Sequence, residues 1–131
     1  MDGSERDPNE LDQSTQGDIP QRLAEDKFYR ALASSDRRRV LYYLLEENDS
    51  TVEELATVLC GWKATTGQTM RRPADRRELI VELSHNHLPQ LADVGLISYE
   101  SHTGSVHLDS LHPPVADIIR QSVRVERADN M

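Results

Sequence analysis

The sequence predicts a mainly α-helical domain with one small β-hairpin, an α+β fold, and three observations carry that reading. Apolar residues recur at helical spacing in five separate stretches of the chain. One pair of short segments, 96–100 and 106–108, flanks the turn-forming run Ser101-His102-Thr103-Gly104-Ser105 and reads as a hairpin. The length, 131 residues with 37% hydrophobic, suits one small domain and is too short for a two-domain enzyme.

Taken in order, residues 1–18 have no hydrophobic period and read as a disordered acidic tail; a domain is expected over 19–127, with 128–131 as a second tail. Ala24, Phe28, Ala31 and Leu32 form one helical stripe over about 21–33. Ser34-Ser35-Asp36 interrupts it with capping residues, and a second helix follows with Val40, Leu41, Leu44 and Leu45 on one face, ending near Glu47-Asn48-Asp49. Thr51 and Glu54 fit a capping box, with Ser50 and Glu53 offering the same pattern one position earlier. Val52, Leu55, Ala56 and Leu59 then give a short helix that Gly61 is expected to stop, and 61–73 reads as a loop. A longer helix is expected over 74–94, its inner side marked by Ile80, Leu83, His87 or Leu88, Leu91 and Val94. Pro89 falls inside it, which predicts a bend or two shorter pieces. Gly95 ends that helix, and Gly104 supplies a positive-φ position in the hairpin. After Pro113-Pro114, the positions Val115, Ile118, Ile119 and Val123 make a last helix.

The chain carries 15 basic and 23 acidic residues, a net charge of −8. Residues 1–20 hold six acids against one Arg, so most of the acidity lies in the tail. All but Lys27 and Lys63 of the basic residues are Arg; many acids with almost no Lys is the composition of proteins from salt-loving archaea, or of an acidic protein from an Arg-biased genome. No apolar run approaches the roughly 20 residues a membrane helix needs, and the N-terminus has no apolar signal core, so a cytoplasmic protein is expected. Cys60 alone excludes an internal disulfide and is expected to be a small buried hydrophobe.

A short capped helix, then a longer helix running into a two-stranded wing, is the plan of a winged helix-turn-helix. Within it, 87–99 resembles the junction of recognition helix and wing in ArsR- and MarR-type regulators: Leu91, Gly95, Leu96-Ile97, then Tyr99. A closer resemblance is to a haloarchaeal winged helix-turn-helix domain of unknown function. Its marks here are Arg37-Arg38-Arg39-Val40-Leu41-Tyr42-Tyr43-Leu44, Thr51-Val52-Glu53-Glu54-Leu55-Ala56 and His85-Asn86-His87-Leu88-Pro89-Gln90-Leu91-Ala92-Asp93-Val94-Gly95, covering about 24–108. The resemblance implies the architecture more than a function.

On this plan the function expected is a DNA-binding transcriptional regulator, with recognition helix 74–94, wing 97–108 and double-stranded DNA as partner. Lys63, Arg71, Arg72, Arg76 and Arg77 stand against one acid, Asp75, a local +4 suited to gripping phosphate. His85, Asn86 and Gln90 are expected on the outer face, Asn86 and Gln90 four apart and both able to pair with adenine. Thr103 is the contact expected from the wing turn, which has no Lys or Arg. Arg37, Arg38 and Arg39 stand at a helix N-terminus, where the dipole disfavours cations, and ion pairs with Asp36, Glu46 or Glu47 are the favoured explanation. Phe28, Tyr29, Val115, Ile118, Ile119 and Val123 are expected at a homodimer interface between terminal helices, the alternative being that they cover the monomer core. The second function class is a protein-interaction module, with Trp62 on the 61–73 loop as an exposed anchor; Trp62 capping the core is the competing reading. No metal or cofactor is expected: there is one thiol, and His85 and His87 are two apart on a helix and point away from each other. No phosphate loop, nucleophile set or acid–base pair is legible, so no enzyme activity is expected.

Overall fold

The computed structural model of the chain describes residues 18–65 and 73–129. The described residues fall into two compact units, divided after Arg30. The first holds most of helix α1 (Asp18–Leu32), where Phe28 and Tyr29 stand edge to face with ring centroids 5.7 Å apart. All later elements belong to the second: α2 (Ser35–Glu47), β1 (Asp49–Thr51), α3 (Val52–Thr65), α4 (Pro73–Glu82), a π-helical turn (Leu83–His87), α5 (Leu88–Asp93), β2 (Ile97–Glu100), β3 (Ser105–Leu108) and α6 (Pro113–Asp129). The fold is α+β, mainly helical with one antiparallel sheet in the order β1-β3-β2.

Local chemistry sets the boundaries. Ser34 caps α2 by accepting the Arg37 N–H at Oγ (3.3 Å), and Asn48, at φ 68°, ends it with its N–H on the Leu44 carbonyl. Thr51 caps α3 by accepting the Glu54 N–H, as the capping box requires, but the Glu54 carboxylate does not reach back. It accepts from Ser50 Oγ (3.0 Å) and from the Tyr43 hydroxyl (2.6 Å), a bond that pushes the Tyr43 pKa up to about 12. The exit from α5 has both bonds of a Schellman motif: Leu96 N–H to the Leu91 carbonyl and Gly95 N–H to that of Ala92, with Gly95 at φ +79°. Gly104, at φ +78°, turns the hairpin.

The core of the second unit is aliphatic. Leu41 and Leu44 of α2, Leu55 and Leu59 of α3, Leu83, Leu88 and Leu91 around the π turn, Val106 of β3, and Ile119 and Val123 of α6 are essentially sealed from solvent. Each such side chain contributes about 1.5–3 kcal/mol by burial.

Two expectations needed correction. First, α3 does not stop at Gly61 but runs to Thr65, and α4 starts at Pro73, so residues 61–65 and 73 of the expected loop are helical; 66–72 lie outside the described residues. Gly61 faces open space, and Trp62 and Lys63 beyond it make tertiary contacts that offset its low helix propensity. Second, Asp49–Thr51 is a third strand, paired to β3 in the register Ser50↔Val106; three residues between two helices are too few to show an alternating pattern. Around Pro89 the expected 74–94 helix takes the second of its two predicted forms: it is two shorter pieces, α4 and α5, joined by the π turn. Of the expected tails 1–18 and 128–131, Asp18 opens α1 and residues 128–129 end α6; residues 1–17 and 130–131 lie outside the described residues.

Candidate nucleic-acid interface

Pro89 has no N–H to give and its ring cannot pass the carbonyl of the preceding turn. The backbone answers by widening: the Leu88 N–H reaches back five residues to the Leu83 carbonyl, and α5 then starts with Pro89 in its first turn. The wide turn has two sides. His87 and Leu83 go inward, whereas His85 and Asn86 go out to solvent.

The inward His87 meets a buried polar cluster at the α2 N-terminus. Arg37 and His87 are each only 7% exposed. Arg37 donates from Nη1 to His87 Nδ1 (3.0 Å) and from Nε to the Ala31 carbonyl (2.7 Å). Asp36 completes the group, with Lys63 Nζ 3.0 Å from one carboxylate oxygen and His87 Nε2 3.9 Å from the other. Burial first, and then the Arg37 charge, hold the His87 pKa below its ordinary value, while Asp36 pulls weakly the other way. Arg38 also reaches back, donating to the Leu32 carbonyl (2.7 Å). So Arg37 and Arg38 stand at the N-terminus of α2 in order to cap the last carbonyls of α1. For Arg38 and Arg39 the acidic partner is none of the expected Asp36, Glu46 and Glu47. It is Glu126 of α6, which takes Arg38 at 2.7 Å and Arg39 at 3.2 Å.

Asp36, Glu82 and His87 bring one ligand atom each within 4.8 Å of one another. A guanidinium can only donate, so His87 Nδ1 must accept and, in the neutral ring, the proton sits on Nε2, the nitrogen nearer Asp36. That face offers a metal no lone pair, and Lys63 and Arg37 add two positive charges beside it. The residues do not fit a cation site.

The structure divides the residues expected to touch DNA. Lys63 is drawn into its ion pair with Asp36, both side chains mostly covered. Arg76 donates from Nε to Thr57 Oγ1 (2.9 Å) and from Nη2 to the Glu53 carbonyl (3.0 Å), tying α4 to α3. These two serve the fold, and the +4 patch is smaller at the surface than its sequence count. Arg71 and Arg72 lie outside the described residues. Arg77 is exposed and makes no ion pair or hydrogen bond among the described residues, and His85 is exposed as well. Asn86 accepts from Gln90 Nε2 at 2.6 Å, so the two are neighbours as expected, but each has spent one group on the other. Thr103 accepts the Ser105 N–H and borders a cleft of about 300 Å³ between the hairpin and the helices, with Glu53, Ile80, Ser84, Tyr99 and His102.

One signal went unread in the sequence, and one was misplaced. Val81, 56% exposed, is a large apolar side chain on the outer face of α4. Trp62 is not on a loop: it is half-buried on α3, tilted against Tyr42 at 5.7 Å, with the Arg39 and Arg127 guanidinium groups 5.6 Å and 4.9 Å from its ring centre. It is engaged by α2 and α6 and is no free anchor. Cys60 is half-buried. Of the expected dimer residues, Ile119 and Val123 are core, whereas Ile118 is exposed and Val115 half-buried.

Fold and site define a small α+β domain whose longest helical run presents a polar outer face beside a β-hairpin. The chain belongs to the family described as a domain of unknown function, DUF7344, which matches residues 29–107, more than half of it. No curated protein and no solved structure matches it. Among the described residues, no helix is long and apolar enough to cross a membrane.

Proposed function

We propose that the protein is a cytoplasmic DNA-binding transcriptional regulator of the winged-helix type, acting as a homodimer on a two-fold site in double-stranded DNA. In this reading α4, the π turn and the start of α5 enter the major groove, and β2 with β3 forms the wing beside it. The carrying observation is the contrast along that run. Among the described residues, exposed Arg77 and His85 make no side-chain hydrogen bond or ion pair on its outer face, while the neighbouring cations Arg37, Arg38, Arg39, Lys63 and Arg76 are all held within the domain. A cation in an acidic protein that is not needed by the fold is available for a polyanion. The likeness of 87–99 to the junction of recognition helix and wing in ArsR- and MarR-type regulators supports the same reading.

The test is fluorescence anisotropy of the full chain with mixed-sequence duplex DNA, titrated from about 0.1 M to about 3 M KCl. Binding is expected to weaken with salt, with a log–log slope of about −0.9 for each phosphate contacted. A folded protein that binds no duplex at the lowest salt overturns the reading and leaves the protein-interaction class.

A further inference from the structure

The outer face of α4 carries an apolar residue at the point where the fold has least use for one. Leu79 and Leu83, on either side of Val81, are 3% and 0% exposed and define the inward direction of the run. At about 100° per residue, Val81 lies about 160° from each of them, so it points straight away from the core. It is 56% exposed, and no other large apolar side chain of α4 or α5 is exposed to that degree. Its neighbours on the crest are Arg77, one turn before it, and His85, one turn after it. Glu78 and Glu82 lie along one flank. A lone valine ringed by charges makes a poor protein-docking patch, which needs contiguous apolar area. The floor of a major groove fits better, because it offers one isolated apolar group, the C5 methyl of thymine, among hydrogen-bonding edges.

We propose that Val81 and Arg77 are the specificity residues of this protein: Val81 packs on a thymine methyl and Arg77 donates both its forked N–H groups to O6 and N7 of a guanine. The proposal rests on the DNA-binding reading above and deepens it by naming the bases. Four helical residues rise about 6 Å, close to two base-pair steps, so the guanine and the thymine fall within about two base pairs of each other. The β-branched Val81 side chain loses little freedom on contact, which suits it to a shape-based readout. On the flank, the Glu78 carboxylate repels phosphate and can accept from a cytosine amino group, which orients the crest toward bases rather than backbone.

The test is selection of full-length wild type, Val81→Ser and Arg77→Ala on randomised duplexes, followed by affinity measurements on the selected site. Val81 is exposed, so Val81→Ser keeps the fold; circular dichroism checks this. The wild type is expected to enrich a guanine and a thymine within about two base pairs. Replacing that thymine by uracil, which removes only the methyl, should weaken wild-type binding about fourfold and leave Val81→Ser unchanged. Arg77→Ala should lose the guanine preference, with a drop of at least about fivefold on the selected site. A thymine preference that persists in Val81→Ser, or a uracil site bound as well as thymine by the wild type, overturns the inference and leaves DNA binding standing. Failure of the folded wild type to retain any duplex overturns both.

Discussion

His87 is held neutral by its surroundings, and this fixes the direction in which acid acts. Nδ1 accepts from a guanidinium that cannot give up its charge, so protonating the ring sets two donors against each other at 3.0 Å. The folded pKa lies below the ordinary value of 6.5. The stabilisation is therefore complete above the unfolded pKa, about 6.5, and is lost as pH falls from there through the folded value. The urea midpoint of the wild type should fall from about pH 6.5 downward. In His87→Gln, which keeps a carbonyl acceptor for Arg37, that part of the decline should vanish. An unchanged pH profile in His87→Gln would remove His87 as its cause. Lys63 gives a second prediction at the same scale. Because it closes on Asp36 inside the domain, Lys63→Ser should cost about 2 kcal/mol in urea unfolding by leaving a mostly covered carboxylate unpaired. It should leave the salt slope of DNA binding as it was. A slope about 0.9 less steep, with stability intact, would return Lys63 to the phosphate contacts. Neither role could be read from the sequence. Lys63 sits in a basic cluster by number, and only the fold shows that Asp36 and His87 stand beside it.

Among the elements, the ones written in caps and breakers came through most faithfully. Ser34, Thr51, Gly95 and Gly104 each act where their chemistry requires, because a cap or a positive φ is a local demand that one residue satisfies. Gly61 misled for an instructive reason. As a helix terminator it competes with whatever lies beyond it, and here that is Trp62 on Tyr42 and Lys63 on Asp36, contacts more than 19 residues away in the chain. Tertiary packing carried the helix through a residue that disfavours it. The same fact predicts a gain: a Cβ at Gly61 meets nothing within 4 Å, and its φ is not in the left-handed region. Gly61→Ala should stabilise the protein by about 0.5–1 kcal/mol, read as a rise in the thermal midpoint. A fall would show that α3 does not continue through this position. Pro89 was legible as an interruption but not as a π turn. The choice between a kink and a widened turn depends on whether Leu83 and His87 both have inward places to fill, and those places are built by α2 and α3.

At the scale of the molecule, α6 carries two apolar stripes where the sequence suggested one. Ala116, Ile119 and Val123 face inward, and Glu126 with Arg127 locks that side to α2 and to the ring of Trp62. The residues of the expected interface are thus split, and Ile119 and Val123 cannot serve a partner while they fill the core. What remains is Val115, Ile118, Ser122 and Val125, spaced 3, 4, 3, the seam of a coiled coil, with Ile118 and Val125 57% and 54% exposed. Periodicity alone could not separate the stripes, because residues one apart on a helix share its apolar side until a neighbour claims one of them. If a second copy covers this seam and the protein binds DNA as proposed, the pair would read two half-sites about 34–36 Å apart, and association would strengthen DNA binding by linking the two contacts. Ile118→Glu combined with Val125→Glu should then sediment as a monomer at concentrations where the wild type is a dimer. The far-ultraviolet dichroism should be unchanged because neither side chain is in the core. The double variant should also lose at least about tenfold in affinity for a two-half-site duplex but little for a single half-site. A wild type that sediments as a monomer at its DNA-binding concentrations removes the dimer. The base readout through Val81 and Arg77 would survive that result, since it needs only one copy.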